Sequence, residues 1–264
     1  MNPTETGQRP PAPAAVVTAT FTADSLAPTL TFWLARLGLD LRVKFAPYNQ
    51  VFQQLLDPAS LLAQNRGGVN VVLVRVEDWA RFQSDASRGL ESLEDIAHHL
   101  VSCLRSAAEN FSSPLLVSVC PSSPGFLADP ERAALTERLT SQIESSLEGL
   151  GSVYVMAASE VDRLYPVAER HDPAGDEPGH VPYTAGYFTA LGTMIARKIH
   201  ALRSTPYKVI VLDCDDTLWR ARIATEDGGT TEVTARALVN AAGPWVKEVL
   251  DLVRPARAGE GSVR

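Results

Sequence analysis

The chain has 264 residues, of which 45% are apolar and 21% charged, so it can form one large or two ordinary domains and is not broadly disordered. Its formal charge of -7 and the lack of a dense basic run argue against nucleic acid as a partner, and no apolar stretch approaches the roughly 20 residues of a membrane span. Cys103, Cys120 and Cys214 have no C-x-x-C spacing, which argues against a disulfide framework or zinc site and favours a cytoplasmic location.

Residues 1–14 are rich in proline and small residues, which predicts an extended, disordered tail outside the fold. After it, β-branched apolar runs alternate with segments of helical periodicity, the pattern of a parallel sheet with helices on both faces. The predicted strands are 15–21, 41–46, 69–75, 114–119 and 152–156. The predicted helices are 26–37, 49–56, 91–110, 129–147 and 184–203, with Asp129 and Thr184 at two of the starts.

A sixth strand is predicted at 207–212, immediately after Pro206. It is a continuous apolar run that ends in carboxylates, as expected of an inner parallel strand whose carboxyl end carries chemistry. We interpret it as the start of a second domain.

Three carboxylates, Asp213, Asp215 and Asp216, follow this strand within four residues. Such crowding is costly unless a cation relieves it, and Mg²⁺ is the hard divalent ion that carboxylates, water and a substrate phosphate hold together. Asp213 can attack phosphorus, Asp215 can exchange a proton with the leaving group, and Thr217 can bind a phosphate oxygen. The alternative is an acidic turn with a structural function alone.

The strand with Asp213-Cys-Asp-Asp-Thr217-Leu-Trp resembles the first motif of the haloacid-dehalogenase-like (HAD) superfamily. With segments 45–58, 69–79 and 180–184 in the same order, residues 15–220 resemble the FkbH-like proteins of HAD subfamily IIIC. The resemblance implies an N-terminal domain of SGNH-hydrolase-like, flavodoxin-type architecture followed by a Rossmann-like HAD domain.

The same resemblance implies a magnesium-dependent phosphatase and acyl transferase. Its reaction moves a glyceryl unit from a bisphosphorylated glycerate, a phosphorylated three-carbon donor, to an acyl carrier protein in polyketide-type biosynthesis. Asp213 and Asp215 are then the catalytic and magnesium-binding carboxylates. Cys214 lies between them and is a candidate to hold the acyl group, although a lone cysteine beside an apolar strand is also a common packed residue.

The first domain offers its own candidates. An SGNH hydrolase presents a Gly-Asp-Ser nucleophile after the first strand, whereas this chain has Thr22-Ala-Asp24-Ser25. Ser25 or Thr22 could be activated by His180 with Asp176 as its orienting carboxylate, or Asp24 or Ser25 could cap the next helix.

Asn70 and Arg75 lie on or just after the third predicted strand. They could bind a phosphate or carboxylate of the donor. An ion pair of Arg75 with Glu77 or Asp78 is the simpler explanation.

The resemblance weakens after Trp219, where only Glu226-Asp-Gly228 matches the expected loop. The later serine or threonine, lysine and acidic pair of a HAD site have no counterpart in the remaining residues, so we expect a truncated and impaired enzyme. Residues 234–246 resemble a segment of FAD-dependent glycerol-3-phosphate dehydrogenases, but without a dinucleotide fingerprint they predict no flavin. An amphipathic helix at 244–252 is the simpler interpretation.

The predicted organisation is therefore a tail at 1–14, an α/β domain at 15–204, the start of a HAD domain at 205–224 and a divergent, poorly ordered tail at 225–264. Two alternatives to the HAD-enzyme interpretation remain. The chain could be a non-catalytic module that binds a carrier protein, or its first domain could itself be a hydrolase or acyltransferase.

Overall fold

The computed structural model describes residues 12–81, 89–204, 219–224 and 230–235. The chain divides into two compact units, Met1–Arg197 and Lys198–Arg264. Among the described residues, none of the helices combines the length and the hydrophobicity that a membrane crossing requires.

The first unit contains a five-stranded, all-parallel sheet with the strand order β2-β1-β3-β4-β5. The strands are β1 (Ala14–Ala19), β2 (Arg42–Phe45), β3 (Val69–Val74), β4 (Leu115–Val119) and β5 (Val153–Val155). The predicted parallel α/β fold is thus confirmed. Each strand begins and ends within two residues of its predicted bounds.

Helices connect the strands. They are α1 (Ala27–Arg36), α2 (Val51–Leu56), α3 (Val76–Ala80), α4 (Gly89–Asn110), α5 (Pro124–Leu127), α6 (Pro130–Leu147), α7 (Ala158–Leu164), α8 (Pro173–Gly179) and α9 (Ala185–Arg203). Asp129 caps α6 by accepting a hydrogen bond from the Glu131 amide, and Thr184 accepts one from the Tyr187 amide at the start of α9, as the sequence predicts.

The sheet is covered on both faces, which explains why its inner strands are apolar throughout. Val16, Val72 and Val117 join a buried cluster with leucines of α4 and α6. Their chain neighbours point to the opposite face because side chains alternate along a strand. Buried residues of α1 and α9 lie outside that cluster, and the two helices contact each other through a 3.0 Å hydrogen bond from Trp33 Nε1 to Thr193 Oγ1.

A buried amide cluster connects the beginnings of β1 and β3. Asn65 Nδ2 donates to the Ala14 carbonyl at 3.0 Å and to Asn70 Oδ1 at 2.8 Å, while Asn70 Nδ2 donates to the Leu62 carbonyl at 3.0 Å. Asn70 is completely buried. Its side chain therefore has a structural function, and the prediction that it binds the donor is wrong.

The second unit contains an antiparallel pair formed by β6 (Trp219–Ala224) and β7 (Thr230–Ala235). Neither strand was predicted. The predicted strand 207–212 and helix 244–252 lie outside the described residues, so the assignment of residues 205–224 to a HAD domain stays a prediction.

Candidate functional site

The candidate site lies at the carboxyl ends of the central strands. Thr20 follows β1, Arg75 follows β3, and Ser123 belongs to the loop after β4. Because β2 and β3 flank β1 on opposite sides, the chain reverses its direction of travel across the sheet at β1. Ligands of open α/β sheets bind in the crevice that forms at such a switch point.

Arg75 is the centre of the site and is completely buried. Its Nε and Nη2 donate to Asp78 Oδ1 at 2.9 and 2.5 Å. Its Nη1 and Nη2 donate to Asp176 Oδ2 and Oδ1 at 2.8 and 2.9 Å. Thr20 Oγ1 accepts from the Arg75 amide at 3.0 Å and donates to Asp78 Oδ2 at 2.7 Å, so both carboxylates have several partners.

Asp176 belongs to α8, a short helix that Asp172 caps through the Gly175 amide. A second guanidinium binds it from outside: Arg81 Nη2 donates to Asp176 Oδ1 at 2.6 Å, and Arg81 Nη1 donates to the Asp176 carbonyl at 3.1 Å. Two arginines thus connect the segment after β3 to α8. A carboxylate held by two guanidiniums is fixed in place and cannot easily serve another partner.

His180 ends α8 in the left-handed backbone region, with φ of 53°. Its Nδ1 contacts Arg81 Nη1, its ring stacks on Tyr48 with centroids 4.9 Å apart, and its carbonyl accepts from the Thr22 amide at 2.8 Å. Since a guanidinium can only donate, Nδ1 is the acceptor in this contact.

These groups border a cleft of about 480 Å³. It is lined by Glu77, Arg81, Ser123, His171, Pro173, Asp176, Glu177 and His180. Glu77 is fixed by Ser123, whose amide and hydroxyl donate to its two carboxylate oxygens at 2.6 and 2.8 Å. The walls of the cleft are therefore polar and largely preorganised.

Burial and pairing act in opposite directions on the two central carboxyls. Burial raises the pKa of Asp176, but hydrogen bonds from Arg75 and Arg81 outweigh it, so that this pKa lies below its usual value. Burial raises the pKa of Asp78 above its usual value, and the Arg75 hydrogen bonds oppose the rise without cancelling it. Nearby, burial raises the pKa of the Cys120 thiol to about 12, which argues against a nucleophilic thiolate.

Ser25 and Thr22 do not form the predicted hydrolase site. Ser25 is exposed in the 3₁₀ turn Asp24–Leu26, and the Thr22 hydroxyl donates to the Gly179 carbonyl at 2.9 Å. Asp176 binds Arg75 and Arg81 instead of orienting His180 as predicted. The predicted cap is also wrong, because neither Asp24 nor Ser25 makes a side-chain cap at this turn or at α1.

Arg75 does not face a ligand either. The prediction that it binds the donor is wrong because its guanidinium is buried and paired. The simpler expectation of an ion pair with Asp78 is confirmed, and Glu77 lies farther away, at 3.8 Å.

Arg81, Ser123, His171 and Tyr48 were not singled out from the sequence. A signal for Arg81 existed in the spacing Arg75-x-x-Asp78-x-x-Arg81, because residues three apart on a helix are neighbours. The other three come from distant loops, and no local pattern places them beside Arg81.

The predicted catalytic residues Asp213, Cys214, Asp215 and Thr217 lie outside the described residues. Within the described ranges, no group of three or more His, Cys, Asp or Glu side chains is arranged to hold a metal ion.

The fold has a counterpart among solved structures. It is similar to the crystal structure of the N-terminal part of the protein BF1531 from Bacteroides fragilis, which contains a phosphatase domain complexed with Mg. The TM-score is 0.60 at 14% sequence identity, and the match covers 82% of this chain and 59% of that chain. Identity this low shows a shared fold alone. No protein-family model matches this chain, and no curated protein sequence matches it.

The arginine pairs predict a specific acid sensitivity. Because the pKa of Asp176 is lowered in the folded state, its contribution to stability is complete above the usual Asp value of about 4 and is lost as the pH falls further. We expect Asp176→Asn to lower the free energy of unfolding by about 2–4 kcal/mol at pH 7. The difference from the parent protein should shrink below about pH 4.

Urea unfolding at several pH values measures this difference. Asp24→Asn, which changes an exposed carboxyl, is the control and should stay close to the parent throughout. If the free energies of unfolding of Asp176→Asn and the parent differed by the same amount at pH 7 and pH 3, the lowered pKa of Asp176 would be contradicted.

Proposed function

We propose that the chain is a magnesium-dependent phosphatase and acyl transferase of the HAD type, in which the α/β domain precedes the catalytic motif. The observation that carries the proposal is the sequence Asp213-Cys-Asp-Asp-Thr217 directly after an apolar run. The fold supports it, because a protein of similar structure, BF1531, contains a phosphatase domain complexed with Mg.

The donor set fits magnesium, which prefers carboxylate oxygens with water and phosphate. Asp213 and Asp215 are the residues that would hold it. When bound, the ion neutralises negative charge on the phosphoryl group. Asp213 then acts as the nucleophile, Asp215 protonates the leaving oxygen, and Thr217 binds a phosphoryl oxygen through its hydroxyl.

The finer proposal concerns the substrate. We propose that the donor is a bisphosphorylated glycerate and that the glyceryl group passes to the phosphopantetheine thiol of an acyl carrier protein, in polyketide-type biosynthesis in the cytoplasm. Cys214 is the proposed site that holds the acyl group: its thiol attacks the acyl-phosphate carbonyl of the donor and displaces phosphate to form a thioester. The phosphopantetheine thiol then attacks that thioester and releases the Cys214 thiol. The resemblance to FkbH-like proteins supports this reaction.

The decisive measurement is phosphate release from the bisphosphorylated glycerate with and without Mg²⁺. Asp213→Asn is expected to lower the rate at least about 10³-fold, because it removes the attacking carboxylate. Asp216→Asn makes the same chemical change three residues later and should retain most of the activity. Release that is independent of both Mg²⁺ and Asp213 would refute the proposal.

The intact mass of a phosphopantetheinylated carrier protein tests the transfer. An increase in the mass of the carrier by one glyceryl group that requires Asp213 supports the transfer. A covalent acyl adduct on the Cys214→Ala variant of this chain would remove Cys214 from the mechanism. Phosphate release without any gain on the carrier would limit the function to a phosphatase.

One second candidate is favoured by a specific observation. The first-domain cleft has preorganised polar walls: Ser123, the serine that lines it, donates its hydroxyl to the Glu77 carboxylate, and Asp176 is bound by two arginines. That arrangement suits binding better than hydrolysis. A folded chain that binds a carrier protein but releases no phosphate would support a non-catalytic carrier-binding module.

A further inference from the structure

The cleft bordered by Arg81, His180 and Glu177, which we call the Arg81 cleft, has the size and location of a small-molecule site. Its volume of about 480 Å³ lies within the range of about 300–1,000 Å³ that such sites occupy. It opens at the carboxyl ends of the central strands, at the switch point of the sheet.

Its charge is the feature that selects a ligand. Two arginines, Arg75 and Arg81, lie in or beneath the cleft. They face four carboxylates, which are Glu77, Asp78, Asp176 and Glu177. The ring of His180 already accepts a hydrogen bond from Arg81 through its Nδ1. The local charge is therefore negative despite the two guanidiniums.

The guanidiniums are also poorly placed to bind an anion. Arg75 is completely buried between its carboxylate partners. Arg81 donates to the side chain and the carbonyl of Asp176 and to His180. Of the five Arg81 N–H groups, these contacts leave only the one on Nε and one on Nη2 for a phosphate, which would also face the exposed carboxylate of Glu177.

We propose that the Arg81 cleft binds a ligand that is uncharged or cationic and donates hydrogen bonds through hydroxyl, amide or amino groups. The carboxylates of Glu77 and Glu177 accept those hydrogen bonds, and the negative charge excludes phosphorylated acids. The cleft is therefore not the site of the phosphorylated donor.

Within the proposed function, the partner that supplies such a ligand is the prosthetic arm of the carrier protein. Its pantetheine portion has one hydroxyl-bearing unit and two amides and carries no charge. The assignment to pantetheine rests on the proposed function, whereas the ligand class rests on the cleft alone.

Histidine resonances can locate the binding, because the chain has five histidines. His171 and His180 line the cleft, and His98, His99 and His200 do not. In a titration of the full chain with pantetheine, we expect saturable shifts of the first two ring signals and no change in the other three. Titration with 3-phosphoglycerate should leave all five unchanged over the same concentration range.

Glu177→Gln tests the charge directly. It removes one exposed carboxylate from the wall of the cleft and should weaken pantetheine binding about two- to fivefold, the range of an exposed charged contact. Glu169→Gln is the matched control, since Glu169 is exposed on the loop before α8 and does not line the cleft. It should bind as the parent does.

The outcomes separate the ligand class from its biological source. If ethanolamine and glycerol produce the shifts at His171 and His180 but pantetheine does not, the ligand class holds and the carrier assignment fails. Tighter binding of 3-phosphoglycerate than of pantetheine, or no saturable shift with any of these probes, overturns the proposal. If the chain released no phosphate in the presence of Mg²⁺, the proposed phosphatase activity would be refuted. The ligand binding measured at His171 and His180 would not be affected by that outcome.

Discussion

Replacing Arg75 with methionine is expected to lower the free energy of unfolding by about 3–5 kcal/mol, the cost of breaking a buried ion pair by removing one partner. Arg75 is completely buried and donates to both Asp78 and Asp176. Without it, Asp78 keeps only the Thr20 hydroxyl among its close partners, although Arg81 still binds Asp176. Urea unfolding followed by circular dichroism measures the change.

Two further variants show whether the cost comes from the uncompensated charges. Adding Asp78→Asn and Asp176→Asn to Arg75→Met should recover part of the lost stability, because no buried carboxylate then lacks its cation. Arg138→Met removes an exposed pair with Glu94 and should cost at most about 1 kcal/mol. An Arg75→Met protein within 1 kcal/mol of its parent would show that the cluster contributes little.

The Gly68→Ala substitution should cost about 3 kcal/mol, at the upper end for overpacking a well-packed site. A Cβ at this position would lie 2.1 Å from the Ala14 carbonyl oxygen and 2.5 Å from Asn65 Oδ1. The first atom belongs to the backbone of β1, which cannot move without disturbing its pairing with β3. Asn65 would also have to leave the amide cluster that it forms with Asn70.

Gly151→Ala is the control for Gly68→Ala. A Cβ there would have open space around it, and the backbone is outside the left-handed region, so stability should change by no more than about 0.5 kcal/mol. Thermal unfolding of the two variants under identical conditions makes the comparison. Equal melting temperatures would contradict the close approach at Gly68.

The first domain and the Asp213 motif are proposed to contribute to function in different ways. The predicted phosphoryl chemistry depends on Asp213 and Asp215, whereas the described cleft has polar walls and a negative charge. Phosphate release and ligand binding are therefore expected to respond to different substitutions. Asp213→Asn should abolish the first and leave the second unchanged.

Local sequence patterns predicted the elements of the sheet because each element depends on neighbouring residues. The run of β-branched residues at β3 predicted a strand that is buried on both faces, and it is. Asp129 predicted the start of α6 because a cap acts on amides one turn away. The 3₁₀ turn Asp24–Leu26 was missed, since a short turn leaves no periodic signal.

The sequence alone also limited the partners of Arg75, but it could not choose among them. An ion pair with Asp78 follows from spacing, since the two residues lie three apart at the start of α3. The pair with Asp176 spans 101 residues and depends on the path of the chain around the sheet. Asn70 shows the same limit, because its burial beside Asn65 follows from the packing of β1 against β3.

By itself, then, the sequence determined the order and approximate bounds of the five parallel strands and of α1, α2, α4, α6 and α9, because periodicity and capping are local properties. The chemistry of the Asp213 motif stays a prediction. Only the tertiary structure decided that Arg75 is buried between two carboxylates, that Ser25 does not line the cleft and that Arg81, His180 and Glu177 do. Those outcomes depend on which loops meet at the carboxyl edge of the sheet. Strand order and the packing of the whole core determine which loops come together there. Neither property can be read from a single segment of the chain.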